Sequence, residues 1–383
     1  MGPLAVDLVQ DLEGLRRLRP AWDDLLARLA GKCSPFLSHY WYLCWWRHFA
    51  AGATLQLMVV REGESVVGIV PFMKRRLVLH GVPVSCLGFL ENGNSLHNDL
   101  LVIPGRREEV LHALFYFLQV ADSWDVIQLN NMPLSSPNRA AVIDLLLERG
   151  LRHQFRPSFT SPYLEVDQGG WERFLAGRSA AVRKGLRRVA RLLDGAGPWQ
   201  VREVVDWSGF LTAWDAVRQV AQQSWTHAIG DSLATPANAS FFRALAETAA
   251  AEGALSLWLL EVAVSTVAFE FHLKSAGTEY AMRASYDQRF AQLSPGTFLE
   301  MQIVKSLFER QGAIRRLDFG GSFDAYKRRW CENGVPHDCL TIFSDRPYGR
   351  ITAFHEMETV RVLRELRDRL RNYRHQHVKT EEP

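Results

Sequence analysis

The side chains best suited to chemistry gather between Leu255 and Trp330. Among the carboxylates on its segments of strand character are Glu270, Asp287 and Asp318. A partly buried carboxyl holds its proton to higher pH, which makes Glu270 and Asp287 candidate general bases. Asp318 lies between Leu317 and Phe319 and so points to the opposite sheet face from them. An ion pair with Lys327 or Arg283 is its expected role, with catalysis as the alternative. His272 alternates with Phe269, Phe271 and Leu273, and either faces a substrate cleft or is a hydrogen-bonded core histidine. Lys327 suits the phosphate of either of two reactants, or Asp318, equally well. No HExxH, GxSxG, Walker loop or Ser/His/Asp order occurs, and no metal is expected.

These groups need elements to position them. Residues 278–287 (TEYAMRASYD) alternate like a strand. Thr297 and Glu300 read as a capping box, Met301, Val304, Leu307 and Phe308 as the apolar stripe of a helix, and Gly312 as its terminator. Residues 316–319 form a short strand. Strand, helix of about fifteen residues and strand make a parallel crossover, since no tight turn reverses the chain that way. Ligands of such units gather at the carboxyl ends of the strands. Here that places Tyr286, Asp287 and the turn Ser294-Pro295-Gly296-Thr297 opposite Gly320, Gly321, Tyr326 and Lys327. Free N–H groups at the start of the Thr297 helix can bind a phosphate oxygen, with Gly296 allowing close approach; the other reading is a plain capped turn.

The surrounding chain of 383 residues is long for one core and suggests two lobes. Its 47% hydrophobic and 23% charged residues are those of a packed soluble protein, and a formal charge of +3 is too mild for a nucleic-acid protein overall. The five cysteines lack any CxxC pair and read as reduced thiols. The N-terminus lacks a signal-peptide pattern, and the apolar run 40–46 (YWYLCWW) falls short of the roughly 20 residues of a membrane span. The protein is therefore read as cytoplasmic. In the first half, helices near 20–29 and 38–49 precede a hairpin at 55–73, strands at 84–90 and 99–103, a helix at 107–121, a strand at 125–130 and a helix ending at Gly150. His97-Asn98-Asp99 either lines an inter-lobe cleft, with Asp99 toward substrate, or caps a turn. A boundary is placed at 157–170. The second half continues with helices over 171–193, 207–225 and 238–252 and a hairpin at 255–274. A last helix beyond Pro347 carries Val360, Leu363, Leu366 and Leu370. In the helix 178–193, Arg183, Lys184, Arg187, Arg188 and Arg191 crowd one side with no acidic residue before Asp194. That is either a solvated face or a site for a phosphate-rich ligand.

The combination LDFGGSFDAYKRRW at 317–330, the SPFLSHYWYLCWW and VVGIVPF segments, and RSAAVRKGLRRVARL at 178–192 resembles the CelD or cellulose-biosynthesis branch (BioF2-like) of the GNAT acyltransferases, related to the FemAB aminoacyl transferases. The resemblance covers roughly residues 20 to 345. It implies a mixed α/β fold of two tandem GNAT-like lobes, 1–156 and 157–346, each a mixed sheet flanked by helices, followed by a C-terminal helix and tail, 347–383. It implies transfer of an acyl group from acetyl-CoA or another acyl-CoA to an amine or hydroxyl, for instance on a sugar or polysaccharide precursor. The turn Gln292-Leu-Ser294-Pro-Gly296-Thr297 would then cradle the donor pyrophosphate, with Lys327 nearby, and the strands 279–286 and 316–319 would splay to admit the thioester. Tyr326 would protonate the departing thiolate or simply pack beneath the donor; Arg283, Tyr286, His272 and Asp99 are the candidate acceptor contacts. The FemAB kinship keeps aminoacyl-tRNA open as donor, and a non-catalytic binding protein is the third reading.

Overall fold

A computed structural model describes residues 3–29, 33–79, 81–120, 124–310 and 312–359. The first half runs β1 (Leu4–Val9), α1 (Leu12–Arg17), α2 (Arg19–Arg28), α3 (His39–Phe49), β2 (Ala53–Glu62), β3 (Ser65–Leu79), β4 (Val82–Phe89), β5 (Leu101–Val102), α4 (Arg107–Val120), β6 (Val126–Pro133), α5 (Pro137–Glu148) and β7 (His153–Glu165). The second runs α6 (Gly170–Ala176), α7 (Ala180–Ala196), β8 (Trp199–Val204), α8 (Trp207–Gln222), α9 (Trp225–Ala228), α10 (Pro236–Ala251), β9 (Leu255–Val262), β10 (Ser265–Ser275), β11 (Thr278–Tyr286), α11 (Pro295–Arg310), β12 (Arg316–Asp318), β13 (Gly334–Phe343) and α12 (Pro347–Phe354). The expected stripe at Val360, Leu363, Leu366 and Leu370 lies outside the described residues. Among the described residues no helix is long and apolar enough to cross a membrane.

The two halves share one mixed sheet, in the order β1-β2-β3-β4-β6-β13-β7-β12-β11-β10-β9-β8. The segment placed at the lobe boundary, 157–170, overlaps the thirteen-residue strand β7. Its first part pairs with β13, and Tyr163–Glu165 pair with β12. Strand β13, from the end of the chain, sits between β6 and β7, so each half lends a strand to the other. Helices α3 and α10 add a shared core, in which Trp41 and Phe49 pack on Phe241. The aromatic run 40–46 is thus a buried helix, capped by Ser38, whose hydroxyl accepts from the Trp41 amide.

The predicted crossover is present: β11 and β12 pair in parallel, from Thr278 with Arg316 to Tyr280 with Asp318, and α11 connects them. Beyond Tyr280 the register of β11 with β10 slips by one residue, leaving Met282 without a partner on β10. Such a bulge bends a strand, and here β11 continues to Tyr286 after β12 has ended. The helix departs from expectation at its start. It begins at Pro295, after Ser294 in the left-handed region, so Thr297 lies within the first turn and the capping box does not form. Glu300 turns inward instead and is buried.

Candidate active site

Where β11 and β12 part, a cavity of about 540 Å³ opens against the first turn of α11. Its walls are residues 281–286 of β11, Phe319 to Gly321 beyond β12, Gly296, Thr297 and Glu300 of α11, Glu270 of β10, and Tyr326 with Lys327; the first half contributes Gly93 and Leu96. Gly320 has to be glycine. Its φ is +59°, and a Cβ there would stand 2.6 Å from Leu96 Cδ1 and 2.7 Å from the Ala281 carbonyl oxygen. Two buried ions hold its peptide groups: the Asp318 carboxylate accepts from the Gly320 amide at 2.9 Å, and Lys327 Nζ donates to the Gly320 carbonyl at 2.6 Å.

The acidic floor comes from two elements. On β10, Phe269, Phe271 and Leu273 face α8 and α10, which by strand alternation turns Glu270 and His272 toward α11. His272 is fully buried between two carboxylates, with Nε2 2.9 Å from Glu270 Oε2 and Nδ1 2.8 Å from Glu279 Oε1. Burial alone would strip the ring of its charge, yet the bonds to Glu270 and Glu279 raise its pKa to about 9, so it is an imidazolium. Against its own burial, Glu279 is held at about 2 by His272, and it also accepts from Ser256 and Trp258 at 2.9 Å. On α11, Glu300 accepts from Trp330 Nε1 at 2.5 Å. Burial first and the Glu270 carboxylate second push Glu300 up to about 8, against the pull of the Trp330 N–H, Arg329 and Lys327.

Glu270, Tyr326, Lys327, Gly296, Thr297, Arg283 and Tyr286 thus meet at one cavity. His272 stands behind Glu270 rather than at the wall. Asp318 stands behind Gly320, and its ion-pair partner is neither Lys327 nor Arg283. His97 Nε2 lies 3.2 Å from Asp318 Oδ2, and Ser161 donates to Oδ1 at 2.7 Å. Despite burial, His97 and these hydrogen bonds hold the Asp318 carboxyl below its usual range. Behind His97 lies His337, at 2.7 Å from its Nδ1, with a pKa lowered to about 4 by burial and by His97. Arg283 is bound instead by Asn94 Oδ1 at 2.6 Å and Asp231 at 2.9 Å. Lys327 is committed to the carbonyls of Gly320 and Ser322 and lies 3.8 Å from Asp324.

Besides His272 and Asp318, four predicted residues fall away from the cavity wall. Asp287 is clasped by Arg289, whose hydrogen bonds lower the carboxyl pKa, the opposite of the shift a base would need. Gln292 belongs to a 3-10 turn and Ser294 to its junction with α11. Asp99 is enclosed in the first half, bound by Ser136, Asn138 and the Leu100 amide. Glu300 is the residue that sequence reasoning missed, because Thr-x-x-Glu already had a role as a cap. The His97 to Asp318 contact left no sequence signal at all.

Residues 180–328 match the model of the acetyltransferase (GNAT) domain family, a span that holds Glu270, Glu300, Asp318 and Tyr326. By that match the chain is an enzyme of the acyltransferase class, with a stretch similar to a GNAT acetyltransferase domain at 180–328. Solved structures resemble the chain beyond that stretch. FemX covers 88% of this chain and 98% of its own at TM-score 0.57 and 10% identity. A tandem GNAT protein from the clavulanic acid biosynthesis pathway covers 89% and 100% at 0.50 and 14%. The L-PGS of Bacillus licheniformis covers 87% and 94% at 0.51 and 10%. At such identities the likeness is one of fold, and it extends the tandem GNAT architecture over both halves. A search of curated proteins finds no match. Among the described residues no group of three His, Cys, Asp or Glu side chains is placed to hold a metal ion.

Proposed function

We propose that the GNAT domain transfers an acyl group from a coenzyme A thioester to an amine or hydroxyl acceptor, with the reacting carbonyl between β11 and the Gly320 turn. The observation that carries this reading is the parting of β11 and β12 after the Tyr280–Asp318 pair, which opens the cavity against the first turn of α11. The amides of Gly296 and Thr297 have no acceptor within the helix, and anions bind at such termini. A Cβ at Gly296 would lie 3.4 Å from Tyr286 Cδ1, so glycine keeps that approach open. Arg329 donates to Thr297 Oγ1 at 3.1 Å and brings a cation to the same turn. Direct transfer asks mainly for positioning, a base and an acid. Glu270 is our candidate base. The likeness of 317–330 to the CelD branch favours a sugar-linked acceptor. Acetyl-CoA and longer acyl-CoAs should raise the melting temperature; no rise with any thioester would overturn this reading.

The face of α7 supports a second donor, aminoacyl-tRNA. Lys184, Arg187, Arg188 and Arg191 are exposed there, and residues 180–193 include no acid. Binding of tRNA that weakens steeply with salt and is lost in Arg187→Glu/Arg191→Glu would favour it. Salt-independent or absent binding would remove it.

A further inference from the structure

We propose that Glu300 and Glu270 form an acid–base dyad, in which Glu300 protonates the departing thiolate and Glu270 takes the proton of the attacking acceptor. This assignment rests on the thioester reading above. Both side chains lie on the wall of one cavity, and each residue is more than nine-tenths buried, Glu270 at 6% and Glu300 at 8% exposure. Each has one oxygen engaged, Glu270 Oε2 by His272 and Glu300 Oε2 by Trp330. Among the described residues the second oxygen of each has no hydrogen-bond partner, which leaves it for a reactant.

The two environments differ in charge. Glu270 touches an imidazolium, whose second nitrogen is anchored by Glu279. Glu300 touches a neutral indole. The cations that face it are committed elsewhere, Lys327 to the carbonyls of Gly320 and Ser322, and Arg329 to Tyr326 O and Thr297. Two neighbouring buried carboxyls do not readily ionise together, and the one without a cation keeps the proton. A pKa near 8 for Glu300 agrees with that division. Tyr326, the other candidate acid, is half exposed, and burial of its ring together with the nearby Glu300 and Glu270 moves its phenol upward, making it a weaker donor.

The proton count closes. The acceptor atom bonds to the acyl carbon while its proton passes to Glu270; the carbon–sulfur bond breaks, and the sulfur takes the proton of Glu300. One proton moving from Glu270 to Glu300 restores the starting state. His272 and Glu279 are positioning residues in this scheme, since they act through Glu270.

Glu300→Gln keeps the volume and an oxygen for Trp330. Thiol release would be followed from acetyl-CoA and from S-phenyl thioacetate, whose aryl thiolate leaves without protonation, with hydroxylamine as the acceptor probe. The variant should lose about 10²- to 10³-fold in turnover of acetyl-CoA and stay within a few-fold on the aryl thioester, whereas Glu270→Gln should lose comparably on both. Equal loss on both donors, or loss on neither, in Glu300→Gln overturns the dyad and leaves acyl transfer standing. Infrared difference spectra give a readout independent of turnover. The wild-type protein should show a protonated-carboxyl band that titrates away near about pH 8 and is missing from Glu300→Gln. No such band in the wild type overturns the dyad. A band with no thiol release upholds the paired protonation and overturns the thioester reading.

Discussion

Strands β4 and β6 in the first half and β11 and β12 in the second are each joined through a helix, and each pair in parallel over three residues. Beyond the first pair the space is filled. Leu90, Asn98 and Leu100 are buried there, and the hollow that remains under α4 and α5 is about 20 Å³ with a wholly apolar lining. Beyond the second pair β12 stops, β11 bulges, and about 540 Å³ stay open. The acids differ in the same way. The Asp99 carboxyl oxygens accept from Ser136, Asn138 and the Leu100 amide, while Glu270 and Glu300 each keep an oxygen without a protein partner among the described residues. One topology therefore encloses packing or an open cavity, according to what occupies the carboxyl ends of its strands.

The strongest test of that contrast is a pair of isosteric changes. Glu270→Gln should lower turnover of acetyl-CoA by about 10²- to 10⁴-fold, and Asp99→Asn should leave it unchanged. A matched loss in both would erase the distinction between the halves. Next come the glycines at the two crossovers. Gly320→Ala forces a Cβ onto Leu96 and the Ala281 carbonyl at positive φ, and Gly88→Ala places one 2.9 Å from the Gln128 carbonyl. Each should cost about 1–3 kcal/mol in denaturant melts, but only Gly320→Ala should also weaken acetyl-CoA binding. Weakened binding in Gly88→Ala would mean that the first crossover shapes the site.

A smaller effect is expected from the pH dependence of stability at Asp99. Burial raises its carboxyl in the folded chain, so the folded form holds the proton more tightly than the unfolded form. The stability it contributes is present below the unfolded value of about 4 and is lost as pH rises through the folded value. Thermal melts of Asp99→Asn should therefore gain on the wild type as pH rises above about 4; a relative loss would show an ionised, stabilising carboxylate. Least of all, Arg187→Glu on the exposed face of α7 should shift stability by no more than about 0.5 kcal/mol and leave thioester turnover unchanged.

The second crossover was legible because its signals are local: alternation over 278–287, a helical stripe and a stop at Gly312. Strands β7 and β13 were not. Each contains proline, Pro157 and Pro162 in one and Pro336 in the other, and their pairing joins residues far apart in sequence. The bulge opposite His272 and the meeting of His97 with Asp318 depend on register and tertiary contact, which composition does not encode. Glu300 was misplaced by three residues of helix start, enough to read a buried cavity acid as a cap.

The central claim, that the mouth of the second crossover holds an acyl-CoA donor, is tested most directly by calorimetric titration of acetyl-CoA into the wild type and Gly296→Asp. The wild type should bind, and the variant should not, because a carboxylate at the first turn of α11 would face the donor pyrophosphate. Equal affinity in both proteins, or heat from neither, would contradict it.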